Sequence, residues 1–161
     1  MPLILVCKSV TIEISSKDNV YRRIFIMYEM KPEYYTGIEA IDQEHGKLFS
    51  LAGETHELLN DNLLVDKTEK LNSLISELID YTRIHFSHEE AYLEQIHYDR
   101  IAEHAALHRS FEESLMQFDL DDMGEDGESQ NAFVEDLLGF LITWLINHIQ
   151  RTDMQYVSHK G

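Results

Sequence analysis

The sequence predicts an all-α protein, an antiparallel up-down-up-down four-helix bundle. Three observations predict it. Apolar residues recur at spacings of three and four in four separate segments, which traces one face of an α-helix each time. The breaks between segments are short and turn-like, which favours antiparallel neighbours. Seven glycines and two prolines in 161 residues are too few turn-formers for a sandwich or barrel of short strands.

Each helix follows from its own stripe. The first reads Ile38, Ile41, His45, Leu48, Ala52, Thr55 and Leu59. The second reads Leu71, Leu74, Leu78, Tyr81, His85, Glu89 and Tyr92. The third reads Ile101, His104, His108, Phe111, Leu115 and Phe118, and the fourth Phe133, Leu137, Leu141, Trp144 and His148. The expected helices span roughly 38–60, 66–96, 99–119 and 129–156. Asn60-Asp61-Asn62 breaks the first pair and Tyr98-Asp99 the second. Residues 119–128, with six acids and two glycines, read as a solvated loop.

Residues 1–30 differ in texture and are expected to be an N-terminal extension to a domain at 31–161. Val10, Ile12 and Ile14 alternate like a short strand. The apolar patch Leu3 to Cys7 has no Lys or Arg before it and is not expected to act as a signal peptide. Residues 1–26 are expected to be dispensable to the bundle. No apolar run approaches the ~20 residues of a membrane span. Thirty acids against 13 Lys and Arg give a net charge of −17, which disfavours nucleic acid and anionic membranes as partners. Cys7 is the one cysteine, so a reducing compartment, hence the cytoplasm, is the simplest setting.

The nine histidines decide the functional reading. Five fall at core positions of the stripes: His45, His85, His104, His108 and His148. Glu89 joins them. A lone core histidine is usually neutral and hydrogen-bonded. Six buried polar groups without partners, at ~1–3 kcal/mol each, would use up most of a domain's ~5–15 kcal/mol of stability. A metal satisfies all of them at once. His85 and Glu89 are i, i+4 neighbours, and His104 and His108 repeat that spacing. Asp153 follows His148 by five residues, which overshoots the face by about 140°. It returns to the face if the helix end loosens into a π-type turn. Seven donors are too many for one tetrahedral zinc. They suit two six-coordinate ions with the carboxylates bridging. Five imidazoles then split three and two, which leaves one ion with an open position.

The run Thr36-Gly37-Ile38, Ile41-Asp42-x-x-His45, His85-Phe86-x-x-Glu89-Glu90, Tyr98, His104-x-x-x-His108, Trp144-Leu145-x-x-His148-Ile149 and Asp153-x-x-Tyr156 resembles a bacterial hemerythrin. The resemblance covers about residues 34–157. It implies a four-helix bundle that holds a non-haem di-iron centre and binds O2 reversibly without catalytic turnover. It also implies the division of ligands. His104, His108 and His148 go to one iron, and His45 and His85 to the other. Glu89 and Asp153 bridge them together with an oxygen from solvent. O2 would bind at the iron with two histidines, in an apolar pocket of Leu48, Phe86, Trp144, Leu145 and Ile149. Two features depart from the family. Tyr28, Tyr34 and Tyr35 stand in the region where a tryptophan is often seen, and Asp99 replaces a common proline.

Bland roles are expected for the remaining groups. His56 lies ~16 Å along the helix from His45 and suits a core or boundary position. His88 is off the stripe and suits solvent or an outer layer around the site. His97 ends a helix, where a cation suits the dipole, and His159 lies in the tail. Glu90 points about 100° from Glu89, toward solvent. Asp42 suits the first turn of its helix. Two other functions compete. A di-iron oxidase or peroxidase needs two Glu-x-x-His motifs with further glutamates, and Glu94-x-x-His97 stands alone. A stand-alone O2 sensor would act through a separate protein partner, which the sequence does not identify.

Overall fold

A computed structural model of the protein describes residues 28–159. The strand expected at 10–14 and nearly all of the 1–30 extension lie outside the described residues. Four long helices form: α1 (Glu39–Asn60), α2 (Thr68–Gln95), α3 (Ile101–Leu115) and α4 (Gly127–His148). A π-turn, Ile149–Asp153, follows α4 directly and leads into the short α5 (Met154–His159). Among the described residues there is no strand. α1 packs against α2 and α4, and α2 against α3. Aromatic rings close the remaining side, with Phe111 of α3 stacked on Phe140 and tilted against Trp144 of α4 at centroid distances of 5.1 and 4.2 Å. The result is the four-helix bundle that the stripes predict.

The helix ends differ from expectation where local chemistry overrides periodicity. α4 begins at Gly127, because the Asp126 carboxylate caps it by accepting from the amides of Glu128 and Ser129. α3 stops at Leu115, and residues 116–119 finish in short-range turns. α2 stops at Gln95, and the chain turns at His97, whose φ of 54° lies in the left-handed region. The Tyr98 amide bonds back to Leu93 O and the His97 amide to Glu94 O, the pair of bonds that closes a Schellman motif. His97 is therefore an exposed turn residue with no link to the core.

The core is layered along the bundle axis. Leu51, Leu71, Leu78, Phe111, Leu115 and Leu137 fill one end. Ile41, Leu93, Tyr98 and Tyr156 fill the other. The histidine layer lies between them. α4 is apolar on most sides, and the stretch Gly127–Ser158 has the length and hydropathy of a membrane span. It holds no unbroken apolar run of that length, since Glu135, Asp136 and Thr143 interrupt it, but its mean hydropathy is high. The physical reason is that α4 packs on both α1 and α3, and helices buried on several sides lose their polar stripe.

Two anchors hold the periphery. Asp42 accepts hydrogen bonds from the Thr36 amide and hydroxyl (2.7 and 2.8 Å) and from the Gly37 amide (3.0 Å). Gly37 turns the chain at a φ of 78°, which favours glycine. Upstream, Tyr34 stacks on Phe49, and the Tyr28 hydroxyl meets His56 Nδ1 at 3.0 Å. These tyrosines cover part of α1.

At the opposite end Lys67 is buried. Its ammonium donates to the α1 carbonyls Leu58 O and Leu59 O and to Asn131 Oδ1, at 2.7, 3.1 and 2.8 Å. These carbonyls have no partner inside α1, and a cation there also suits the helix dipole. Lys67→Met keeps the stem and deletes the donor. We expect a loss of about 2 kcal/mol in denaturant unfolding, with metal content unchanged. Metal loss together with the stability loss would mean that this end and the histidine layer are coupled.

Candidate metal centre

All seven predicted groups converge in one layer. His45 is contributed by α1, His85 and Glu89 by α2, His104 and His108 by α3, and His148 by α4. Asp153 is the last residue of the π-turn. The wider turn takes up the rotation that five residues would otherwise add, so the carboxylate returns to the interior. Each of the seven is at most 5% exposed.

Every one of the five imidazoles turns its Nε2 inward. Glu89 Oε2 lies 3.7, 3.3 and 3.2 Å from Nε2 of His85, His104 and His108. Asp153 Oδ1 lies 3.5 and 3.1 Å from Nε2 of His104 and His148, and its Oδ2 lies 3.4 Å from Nε2 of His45. Two groups with ligand spacing result: Glu89, His104, His108 and His148, and His45, His85 and Glu89. Glu89 belongs to both, and Asp153 presents one oxygen to each side. A three-and-two division of imidazoles around two shared carboxylates is thus built into the fold.

The donor atoms fit a cation better than one another. Both ring nitrogens of His45 and both oxygens of Asp153 are buried without a hydrogen-bond partner. His108 Nε2 and His148 Nε2 face each other at 3.0 Å, which needs a shared proton or a shared cation. Burial pushes the Glu89 carboxyl up, but hydrogen bonds from His104 and His108 outweigh it and hold Glu89 well below the ordinary range. Burial and the Glu89 charge push Asp153 up, yet His148 and His45 carry it below its ordinary value. Both carboxylates are therefore anionic, the form a metal requires. Imidazole-rich sites with a few carboxylates suit first-row transition ions.

Residues outside the stripes complete the site. Glu44 Oε2 meets His85 Nδ1 at 2.9 Å, and its Oε1 meets the exposed His88 at 2.5 Å. Glu90 Oε1 meets His108 Nδ1 at 2.9 Å. An acceptor at Nδ1 fixes the proton there and leaves Nε2 free for metal. This corrects the expectation that Glu90 faces only solvent. We expect Glu44→Ala and Glu90→Ala each to weaken metal retention tenfold or more, in line with losses of outer carboxylates in other sites. Competition with a chelator measures this, and wild-type retention in both variants would show that the rings hold their pose unaided.

A small cavity lies one turn from the histidines. Leu48, Thr82, Phe111 and Leu145, with Leu78, Leu141 and Trp144, line a space of about 20 Å³. Leu48 and Phe111 follow His45 and His108 by three residues, while Thr82 and Leu145 precede His85 and His148 by three. In antiparallel helices these four offsets point to the same end of the bundle. The space holds about one small molecule. Of the five predicted pocket residues, Leu48, Trp144 and Leu145 line it. Phe86 instead stacks on the His108 ring at 3.8 Å, and Ile149 packs against Leu145, Leu48 and Phe49. Thr82 was not foreseen. Its hydroxyl donates to Leu78 O at 2.8 Å, so this polar side chain is occupied by backbone.

The chain is similar to known proteins over the same stretch of sequence. The Hemerythrin HHE cation binding domain profile matches residues 36–159. The chain belongs to the hemerythrin family. A bacteriohemerythrin from Clostridium acetobutylicum is 37% identical over 132 residues, covering 82% of this chain and 100% of the relative. One from Pseudomonas paraeruginosa is 31% identical over 76% of this chain and 74% of the relative. A hemerythrin-like protein from Naegleria gruberi is 26% identical over 76% and 85%. The hemerythrin profile spans all four helices, the π-turn and every one of the seven converging residues.

Proposed function

We propose that this chain binds O2 reversibly at a pair of non-haem iron ions and does not turn it over, in storage, delivery or sensing. The observation that carries the reading is the unequal division of imidazoles about Glu89 and Asp153, beside an apolar cavity of molecular size. In this reading His104, His108 and His148 would hold one iron, His45 and His85 the other, and Glu89 and Asp153 would serve both. When bound, a ferrous pair supplies the electrons that O2 takes up reversibly. The protein's part is to keep five Nε2 atoms and two carboxylates in place and to keep water out. Leu48, Leu145 and Phe111 offer no proton, and the Thr82 hydroxyl is committed to Leu78 O. Release of bound O2 as a reduced product needs protons, so this lining favours holding over turnover. The single cysteine agrees with a cytoplasmic setting.

Gas uptake tests the reading. The ferrous protein should take up one O2 for each pair of irons and give it back under argon. Continuous O2 consumption in the presence of a reductant would instead place the chain among the di-iron oxidases.

A further inference from the structure

Glu89, common to both histidine groups, and Asp153, which faces histidines of both, are held from a single segment. Asp153 is part of the π-turn, and Tyr156 lies three residues beyond it on α5. The Tyr156 hydroxyl, fully buried, donates to Glu89 Oε1 at 2.6 Å, which leaves Oε2 facing the histidines. Glu89 and Asp153 therefore both depend on residues 149–159. The other candidate ligands sit on regular α-helix, where release would require a long helix to open. The segment after His148 is different in kind. It is a five-residue π-turn and one short helix, and its buried carboxylate lacks hydrogen-bond partners among the described residues. Ile41, Leu93 and Tyr98 seat Tyr156 on the inside. On the outside, Arg100 Nη1 donates to Gln155 Oε1 at 2.5 Å and ties α5 to the start of α3.

We propose that residues 149–159 form a strap that gates the metal centre, with Tyr156 as a positioning residue that latches Glu89. Lifting the strap withdraws Asp153 and frees Glu89 in one motion, so both ions lose their shared ligands together. The site then loads and empties through this end, without unfolding of α1, α2 or α3. The proposal rests on the di-iron reading above.

The test uses the iron-loaded protein, a strong chelator and native-state hydrogen exchange. Tyr156→Phe removes only the hydroxyl and keeps the ring, so iron content at the start should match wild type. Iron loss to the chelator should rise about tenfold. The Arg100 side chain lies on the surface and touches no candidate ligand, so Arg100→Ala keeps the backbone bond to His104 and loss should rise about threefold. In both variants amides of 149–159 should exchange faster while those of α2 keep wild-type protection. Both ions should leave in one phase. Unchanged release in both variants overturns the strap while leaving the di-iron reading intact, as does release that keeps pace with exchange of α2. A wild-type protein that retains no iron overturns both.

Discussion

Glu89→Ala is expected to empty the metal site. Glu89 is the residue that both histidine groups share, and its Oε2 lies within 3.7 Å of three imidazoles. Alanine removes the negative charge that faces these rings and leaves their Nε2 atoms without it. Removing one partner from a buried charged network costs about 3–5 kcal/mol. That penalty falls on metal binding and on the fold alike. Iron per chain should drop further than in any single histidine variant, because each histidine belongs to only one group. Glu89→Gln keeps the volume and much of the hydrogen bonding, so a parallel drop there separates charge from packing. Elemental analysis with a thermal melt of the same sample reads both effects. Iron retention equal to that of His45→Ala would remove the claim that Glu89 is shared.

Leu145→Ala should instead leave the metals in place and expose them. Leu145 is 6% exposed, lines the cavity and stands one turn from His148. Truncation enlarges a space of about 20 Å³ that now admits one small molecule. Water and anions should enter, and the oxygenated form should autoxidise several-fold faster. The fold should lose about 2–4 kcal/mol, as expected for a buried leucine. Decay of the oxygenated spectrum, normalised to iron content, gives the answer. An unchanged decay at full iron loading would show that Leu145 does not guard the centre.

Much of this architecture was legible in residue spacing. The stripes fix which face of each helix turns inward, and the five buried histidines and Glu89 stand on those stripes because their side chains serve the interior. Asp153 was the hard case, since a regular helix would turn it away. Spacing made its return conditional on a π-type turn, and the resemblance to a hemerythrin is what put it among the ligands. Glu44 and Glu90 were not legible in this way. Each is one residue from a stripe position, about 100° around its helix, and a single helix viewed alone sends both to solvent. Only the approach of a second helix brings Glu44 to His85 and Glu90 to His108. A usable signal was nonetheless present, because every inward-facing Nε2 leaves an Nδ1–H that wants an acceptor. Thr82 escaped for a related reason. Its hydroxyl bonds to its own helix, which lets a polar residue line an apolar cavity.

The visible spectrum of the ferrous protein through repeated cycles of air and argon, with iron counted in the same sample, tests the central claim most directly. The account predicts a pair of irons per chain and a charge-transfer band that appears in air, disappears under argon and returns in the next cycle. A single iron per chain, or a band that forms once and cannot be reversed, would contradict it.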